Sequence, residues 1–335
     1  MSKAPGVPAE PTRRRMLTIL AAAGAAAVAP QGPAHAAARF HEWSGTALGA
    51  VAGMRLWHED AAFAGQAIRD CVAEVGRLES LFSLFRADSQ VSRLNRDGAL
   101  AAPAPEFVEI LLRARRVSER SGGAFDVTVQ PLWRLYDDHF RREPDDRQGP
   151  TAAARAAARA LIGYRDIRIS DRQIAFAKPG MALTLNGIAQ GYITDRIADR
   201  LRAAGFDHVL VDLGELRALG DHPDGRPWQV GITDPRRPWT VSRREGLSDA
   251  ALATSGGYAH RFGRAAPHHH LFDPQAGDSA QGVLDATVTG PRATEADALA
   301  TALAVLGTDR GAALIRQFPG YGASVTRPDG QRQIL

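Results

Sequence analysis

Asp297 and Thr301 stand four residues apart in TEADALATAL, residues 294–303. On a helix that spacing places both on one face. A carboxylate and a hydroxyl are hard oxygen donors suited to Mg2+. The stretch also reads as plain structure: Thr294 and Asp297 have capping-box spacing, and Thr301 can bond back to a carbonyl. MALTLNGIAQGYITDR, residues 181–196, reads as strand, Asn-Gly turn and helix. A helix that opens on glycine offers bare N–H groups and a positive dipole end to a phosphate. Gly187 and Gly191 would let a ligand come close to the backbone. An ordinary turn with Asn186 as N-cap accounts for the same residues. The glycine spacing fits neither a P-loop nor a dinucleotide fingerprint.

PHHHLFDPQAG, residues 267–277, sets three histidines before a turn. In an extended chain His268 and His270 point one way and His269 the other, so at most two reach one metal. No HExxH or cysteine partner accompanies them, which argues against zinc. One histidine could transfer a proton, since its pKa lies near neutrality. Solvated side chains are the plain reading for the other two. In GGAFDVTVQPLW, residues 122–133, Asp126 and Thr128 share one strand face and could grip a ligand. An edge strand with its polar side in water is the alternative.

These residues need elements to position them. Apolar residues at three-four spacing predict helices over 61–82 and 105–120, the second stopped by Ser121-Gly122-Gly123. SLFRADSQVSRLN, 83–95, reads as the polar exit of the first. Alternation predicts strands at 124–129 and 181–186, and further strands at 208–214, 228–232 and 284–290. Residues 137–150 read as an exposed connection, 151–163 as an Ala-rich helix, and 188–205 and 294–307 as helices. The irregular alternation predicts an α+β chain.

The chain has 335 residues, 44% hydrophobic and 23% charged, an ordinary globular mix. Residues 1–36 read as a leader. TRRRML is followed by a thirteen-residue Ala-rich apolar run, too short to span a bilayer, and then by Ala34-x-Ala36. Arg13-Arg14 with a weakly apolar segment favours the twin-arginine route, cleavage after Ala36 and a periplasmic location. No cysteine lies beside the cleavage point, so no lipid or other stable membrane anchor is expected. The leader carries four basic side chains against Glu10, which leaves a net charge of +1 on the remainder. That balance gives no support for nucleic-acid binding. Cys71, the single cysteine, excludes an internal disulfide and falls in an apolar helical stripe.

Each motif alone is weak, but their order is specific. SGT (44–46), SLFRADSQVSRLN, SGGAFDVTVQPLW, LNGIAQGYITDR, VDLGELRALG (211–220), ATSGGYAHRF (253–262), HHLFDPQAG and ATVTG followed by EADALATALAVLG occur in series. The series resembles the FAD:protein FMN transferase family, the ApbE family, along essentially the whole of 37–335. The resemblance implies a two-lobed α+β fold with FAD and Mg2+ in a cleft between lobes, the boundary falling near 140–150. It implies transfer of FMN from FAD to a Ser or Thr hydroxyl of a partner flavoprotein, with a phosphoester formed and AMP released. Family members are exported and serve membrane electron-transfer complexes. The leader and the N-G-I-A-Q-G-Y wording look like the branch serving nitrous-oxide respiration.

By the same resemblance Asp297, Thr301 and the Gly187 carbonyl hold the metal. Ala124, Phe125 and Asp126, with Thr128 beside them, grip FAD. Asn95 lies near the flavin nucleotide, and Ser255, Gly256, Arg261 and Leu271 line the cleft. His270 takes the acceptor's proton. This chain departs from the family at Gln190, where a Lys is usual; at Thr184, where an Asp is common; and at Gly214-Glu215-Leu216, where G-G-[DE] is usual. A Mg2+-dependent FAD pyrophosphatase and a periplasmic flavin carrier are the alternatives that share this site.

Overall fold

The computed structural model describes residues 38–264 and 267–335. The leader expected over 1–36 lies outside the described residues.

The described chain opens with a hairpin, β1 (Arg39–Ala47) and β2 (Ala50–His58). It enters α1 (Ala61–Phe82), whose N-terminus is capped by the Asp60 carboxylate on the N–H groups of Ala62 and Phe63. Ala64, Cys71, Val75, Leu78 and Phe82 form its buried stripe, as the spacing predicts. Burial pushes the Cys71 thiol up to about 11, which leaves it an inert core group. The expected polar exit is overturned. Ser89 caps a second helix, α2 (Gln90–Asp97), which stops at the left-handed Gly98. A local cap outweighs the polar composition there.

β3 (Ala99–Ala101) leads to α3 (Pro105–Arg120), which starts on a proline and stops at the expected glycine pair. The strand expected at 124–129 does not form. Asp126 accepts bonds from its own neighbour Thr128, and the chain closes into a 3-10 turn over Val127–Val129. A short acid that can bond locally competes with a ladder. α4 (Gln130–Arg142) follows and takes in the first part of the expected connection at 137–150. Next come α5 (Ala152–Arg159), β4 (Ile167–Ile169) and β5 (Gln173–Phe176). The strand expected at 181–186 does not form: residues 181–185 join no sheet and Asn186 opens a turn. Asn95 replaces a strand partner: its amide donates to the Leu183 carbonyl at 2.8 Å and accepts the Leu183 N–H at 2.7 Å.

The second half runs α6 (Ala189–Ala203), β6 (Val209–Asp212), β7 (Leu216–Leu219), β8 (Trp228–Asp234), β9 (Arg237–Leu247) and β10 (Ala251–Gly256). Short β11 (Phe272–Asp273) and β12 (Asp278–Ser279) precede β13 (Asp285–Gly290), α7 (Ala293–Ile315), β14 (Gly322–Thr326) and β15 (Arg332–Ile334). The main sheet has the order β1-β2-β6-β7-β10-β13-β14-β15, with antiparallel neighbours throughout. α7 packs on β10, β13 and β14 and crosses α6. Among the described residues it is the one helix long and apolar enough to cross a membrane, yet its residues form the core of this sheet. The helix ends its first segment at the expected Gly307, whose φ of 70° and ψ of −156° are not helical, and a second helical segment runs on from that kink to Ile315. The hairpin β8–β9 packs Trp228, Val230, Ile232 and Leu247 against Leu210, Leu216 and Leu252 in a separate small core. The fold is the expected α+β class.

Candidate active site

α6 and α7 cross at Gly191. A Cβ there would lie 2.2 Å from the Ala293 carbonyl oxygen and 2.9 Å from the Asp297 Cβ, so only glycine permits this approach. The Gly191 N–H donates to Asp297 Oδ2 at 3.1 Å. One turn further along α6, Asp195 is 1% exposed. Its Oδ1 accepts the Ala293 N–H at 3.0 Å, and its Oδ2 accepts the Thr294 N–H and hydroxyl at 2.9 and 2.6 Å. Buried Arg217 lies 3.3 Å from Oδ1 and Arg292 3.3 Å from Oδ2. α7 is therefore capped from another helix, which overturns the capping box of Thr294 with Asp297. The four-residue spacing from Gly191 to Asp195 was the signal in the sequence: both lie on the face that meets α7.

Asp297 is buried, at 3% exposure, and Thr301 follows it by one turn. Thr301 Oγ1 meets the Ser255 hydroxyl at 3.2 Å, so it bonds across to β10 and not back along its own helix. A Cβ on Gly187 would come within 2.9 Å of Thr301 Oγ1 and 3.4 Å of the Phe125 ring. Gly187, Thr301, Ser255 and Phe125 therefore converge. Asn186 is exposed and caps nothing; α6 begins from Ile188 without a side-chain cap.

Support for this point comes from several elements. Asn95 pins Leu183, and the Thr184 N–H donates to the Val127 carbonyl at 2.8 Å, so residues 183–184 are tied to both α2 and the 3-10 turn. Thr184 Oγ1 accepts the Asn186 N–H. Asp126 and Thr128 are buried, not in water as an edge strand would have them. Asp126 also accepts the Tyr164 N–H, and Thr128 Oγ1 accepts the Gly163 N–H. Burial raises the Asp126 carboxyl above its ordinary range despite these bonds. The pair orders the turn that presents Ala124 and Phe125, both buried. The Gln190 amide lies against Gly214, which sits at φ +100°; a Cβ there would be 2.1 Å from Gln190 Nε2. Beside it Glu215, to which the motifs gave no ligand role, is 4% exposed and accepts the Thr254 N–H at 3.3 Å.

The histidine run follows the strand that carries Ser255. Gly256 is buried at the end of β10, and the His269 ring packs within 2.7 Å of where a Gly257 Cβ would be. His268 and His269 are 7% and 9% exposed, which corrects the expectation that they are solvated. His268 Nδ1 lies 3.0 Å from Asp278 Oδ1, the atom that also accepts the Tyr136 hydroxyl at 2.8 Å. Burial lowers the His269 pKa below 6.5. His270 is less buried, and its Nδ1 lies 3.2 Å from the His260 carbonyl oxygen. A carbonyl only accepts, so Nδ1 carries a proton, and in the neutral ring the lone pair then lies on Nε2. The three rings thus take three different surroundings, not one metal. Leu271 is buried beneath the run, and Arg261 is exposed on the strand bridge opposite His269.

A glycine turn against a hydroxyl, a buried carboxylate one helical turn along, and an imidazole on the loop that follows β10 are a donor set for handling a phosphoryl group. The chain belongs to the ApbE family, whose signature it matches over residues 48–325. It is 34% identical over 282 residues to the FAD:protein FMN transferase of Treponema pallidum, covering 75% of this chain and 77% of that one. The Haemophilus influenzae FAD:protein FMN transferase is 30% identical, with 68% and 69% covered. The apo structure of the Pseudomonas stutzeri flavinyl transferase ApbE superposes with a TM-score of 0.75 at 30% identity, over 89% of this chain and 94% of that one. The flavin transferase ApbE of Vibrio cholerae gives 0.77 at 27% identity, over 89% and 97%.

Proposed function

We infer that this chain is a flavin transferase that moves FMN from FAD to a protein, and that the acceptor atom is a Ser or Thr hydroxyl oxygen. The observation that carries the site assignment is the placing of Thr301 against Gly187 and of Asp297 against Gly191, at the start of one helix. These hard oxygens fit Mg2+: Asp297, Thr301 and the Gly187 carbonyl would hold it. When bound it supplies positive charge against the phosphoryl oxygens and the departing AMP. The acceptor oxygen bonds to the phosphorus of the FMN half. The bond from that phosphorus to the AMP oxygen breaks, and AMP leaves with the electron pair. His270 Nε2 takes the hydroxyl proton. Phe125 and Ser255 adjoin this point, and α6 begins two residues after Gly187 with its positive dipole end there.

The twin-arginine leader supports export to the periplasm, with a flavoprotein of a membrane electron-transfer complex as acceptor. Mass spectrometry tests the reading. The protein is mixed with FAD, Mg2+ and an acceptor domain bearing an Asp-Gly-Ala-Thr segment. The expected result is a one-FMN adduct on the threonine with stoichiometric AMP, both lost without Mg2+. AMP and free FMN beside an unmodified acceptor would identify a pyrophosphatase instead. Uncleaved FAD would identify a carrier.

A further inference from the structure

α4 runs out through HFRREPDD, residues 139–146, part of the stretch that reads in the sequence as an exposed connection. His139 and Glu143 stand four apart at the end of that helix, so they share one face. The chain then turns through a bond from the Asp146 N–H to the Glu143 carbonyl at 3.2 Å, which brings Asp146 back to His139. His139 Nε2 lies 2.7 Å from Asp146 Oδ2. One ligand atom from each of His139, Glu143 and Asp146 lies within 4.8 Å of the other two. We propose that these three residues, with His268 as fourth ligand, form a cation site that shares no residue with Asp297, Thr301 and Gly187. Its ion is a borderline transition ion of the Zn2+ type, because mixed imidazole and carboxylate donors select such ions whereas all-oxygen sets select Mg2+.

Three observations carry it. The first is charge. Two carboxylates meet here, and among the described residues no Lys or Arg side chain bonds either one. Neighbouring arginines hold other acids, Arg141 with Asp137 at 2.8 Å and Arg264 with Asp145 at 3.2 Å. A neutral imidazole brings no charge to offset the two carboxylates, and a divalent ion does. The second is an imidazole nitrogen in want of a partner. His268 is more than nine-tenths buried, and its Nε2 atom has no hydrogen-bond partner among the described residues. Its Nδ1 lies 3.0 Å from Asp278 Oδ1. A carboxylate that accepts the Nδ1 N–H leaves the lone pair of the neutral ring on Nε2, the arrangement of a metal-ligating histidine.

The third is position. The cluster and the free nitrogen meet at Gly149. Its N–H donates to Asp146 Oδ2 at 3.2 Å, and a Cβ on it would lie 2.9 Å from His268 Nε2. Gly149 sits at φ +75°, a conformation that suits glycine, so no side chain stands between that nitrogen and the turn. The His139 and His268 rings also pack on one aromatic, Phe140, with centroids 4.9 and 5.7 Å from its own. In a tetrahedron of ~2.1 Å bonds the donors stand about 3.4 Å apart, so the exposed Glu143 carboxylate and the glycine turn close on the ion as it enters. His139 Nε2 gives up its proton, which the neutral ring carries on Nδ1 instead. An ion so held ties α4 to the histidine run, two residues before His270.

The test is a calorimetric titration with ZnCl2. The protein is first stripped with a chelator and then held in excess Mg2+, so that the oxygen donors of α7 are not what is read. The expected result is one Zn2+ per chain for the wild type and for Asp297→Ala alike. Glu143→Gln, His139→Ala and His268→Gln should each weaken binding by about tenfold or more. Glu143 is exposed, so its variant should unfold without zinc at the wild-type temperature. Zinc should then raise the Tm of the wild type and leave that of Glu143→Gln where it was. A wild type that binds no stoichiometric zinc would overturn the proposal. So would zinc held equally well by Glu143→Gln and His139→Ala, which would place the ion on other side chains. Binding lost in Asp297→Ala would assign the zinc to the α7 donors and overturn the separate site. An unchanged affinity in His268→Gln would remove the fourth ligand.

Discussion

Asp297 and Thr301 stand on a helix whose first turn is fixed by a buried carboxylate, whereas His270 stands on a loop fixed by single bonds to neighbouring carbonyls and hydroxyls. At the α6–α7 crossing, Asp195 takes three donors from α7 and Gly191 removes every atom between the helices. In the loop, His270 is held by its N–H and Nδ1 on one carbonyl, that of His260, and His269 by exchange with Ser279. The oxygen donors are thus placed by helices packed to contact, and the imidazole by hydrogen bonds within a loop. The helices make a rigid phosphate-side half, and the loop a proton-side half that the variants below test as the more adaptable of the two.

The sharpest way to break that comparison is to remove the donor that the rigid half presents. Asp297→Ala should lower FMN transfer by about 10³-fold or more, or ~4 kcal/mol of barrier, with the fold retained by circular dichroism. Turnover within tenfold of the wild type would remove Asp297 from the metal set. Asp195→Ala tests the frame itself. It strands buried Arg217 and the first N–H groups of α7, at a cost of about 3–5 kcal/mol in urea unfolding. Asp195→Asn keeps one acceptor and should fall between that variant and the wild type. A loss below about 1 kcal/mol for Asp195→Ala would mean that packing at Gly191 alone positions α7.

His270→Ala addresses the adaptable half. Loss of a general base should slow transfer by about 10²-fold or more and leave FAD affinity within about twofold in a fluorescence titration. His268→Gln, which perturbs the Asp278–Tyr136 cluster, should change stability more than rate. An equal loss of rate in the two variants would mean that the loop acts as one packed unit and not through a single ring.

The long helices were legible because apolar spacing alone specifies them: 61–82 and 105–120 are α1 and α3. The two short alternating stretches misread as strands failed for a common reason. At 124–129 and 181–186 the backbone bonds are taken by side chains, Asp126 in one and Asn95 in the other. Alternation of side chains does not reveal such partners. α2 was hidden in polar composition because its start depends on one serine cap. Within the site, the motif order named Asp297, Thr301 and Gly187; the structure sets Thr301 against Gly187 and Asp297 against Gly191, one turn along. Asp195 and Glu215 were missed as anchors because their partners lie 98 and 39 residues away in the chain. The burial of His268 and His269 was missed because it depends on Ser279, Asp278 and Gly257, which no local pattern ties to them.

The smallest expected effect concerns the pH at which the adaptable half loosens. Burial depresses the His269 pKa below its ordinary 6.5, so the folded state disfavours the imidazolium. The sign follows from linkage: the unfolded chain binds the proton more readily. Stability is therefore fully present above pH 6.5 and declines as pH falls toward the depressed value. One group contributes at most ~1.4 kcal/mol per pH unit over that window. The carboxylates lowered by their partners, Asp278 among them, lose stability only further into acid. Thermal unfolding between neutrality and about pH 5 should then show a downward slope for the wild type and a flatter one for His269→Gln. Parallel curves would mean that His269 gains a proton in the folded loop as easily as in the unfolded chain, and that its burial does not govern the loop's acid stability.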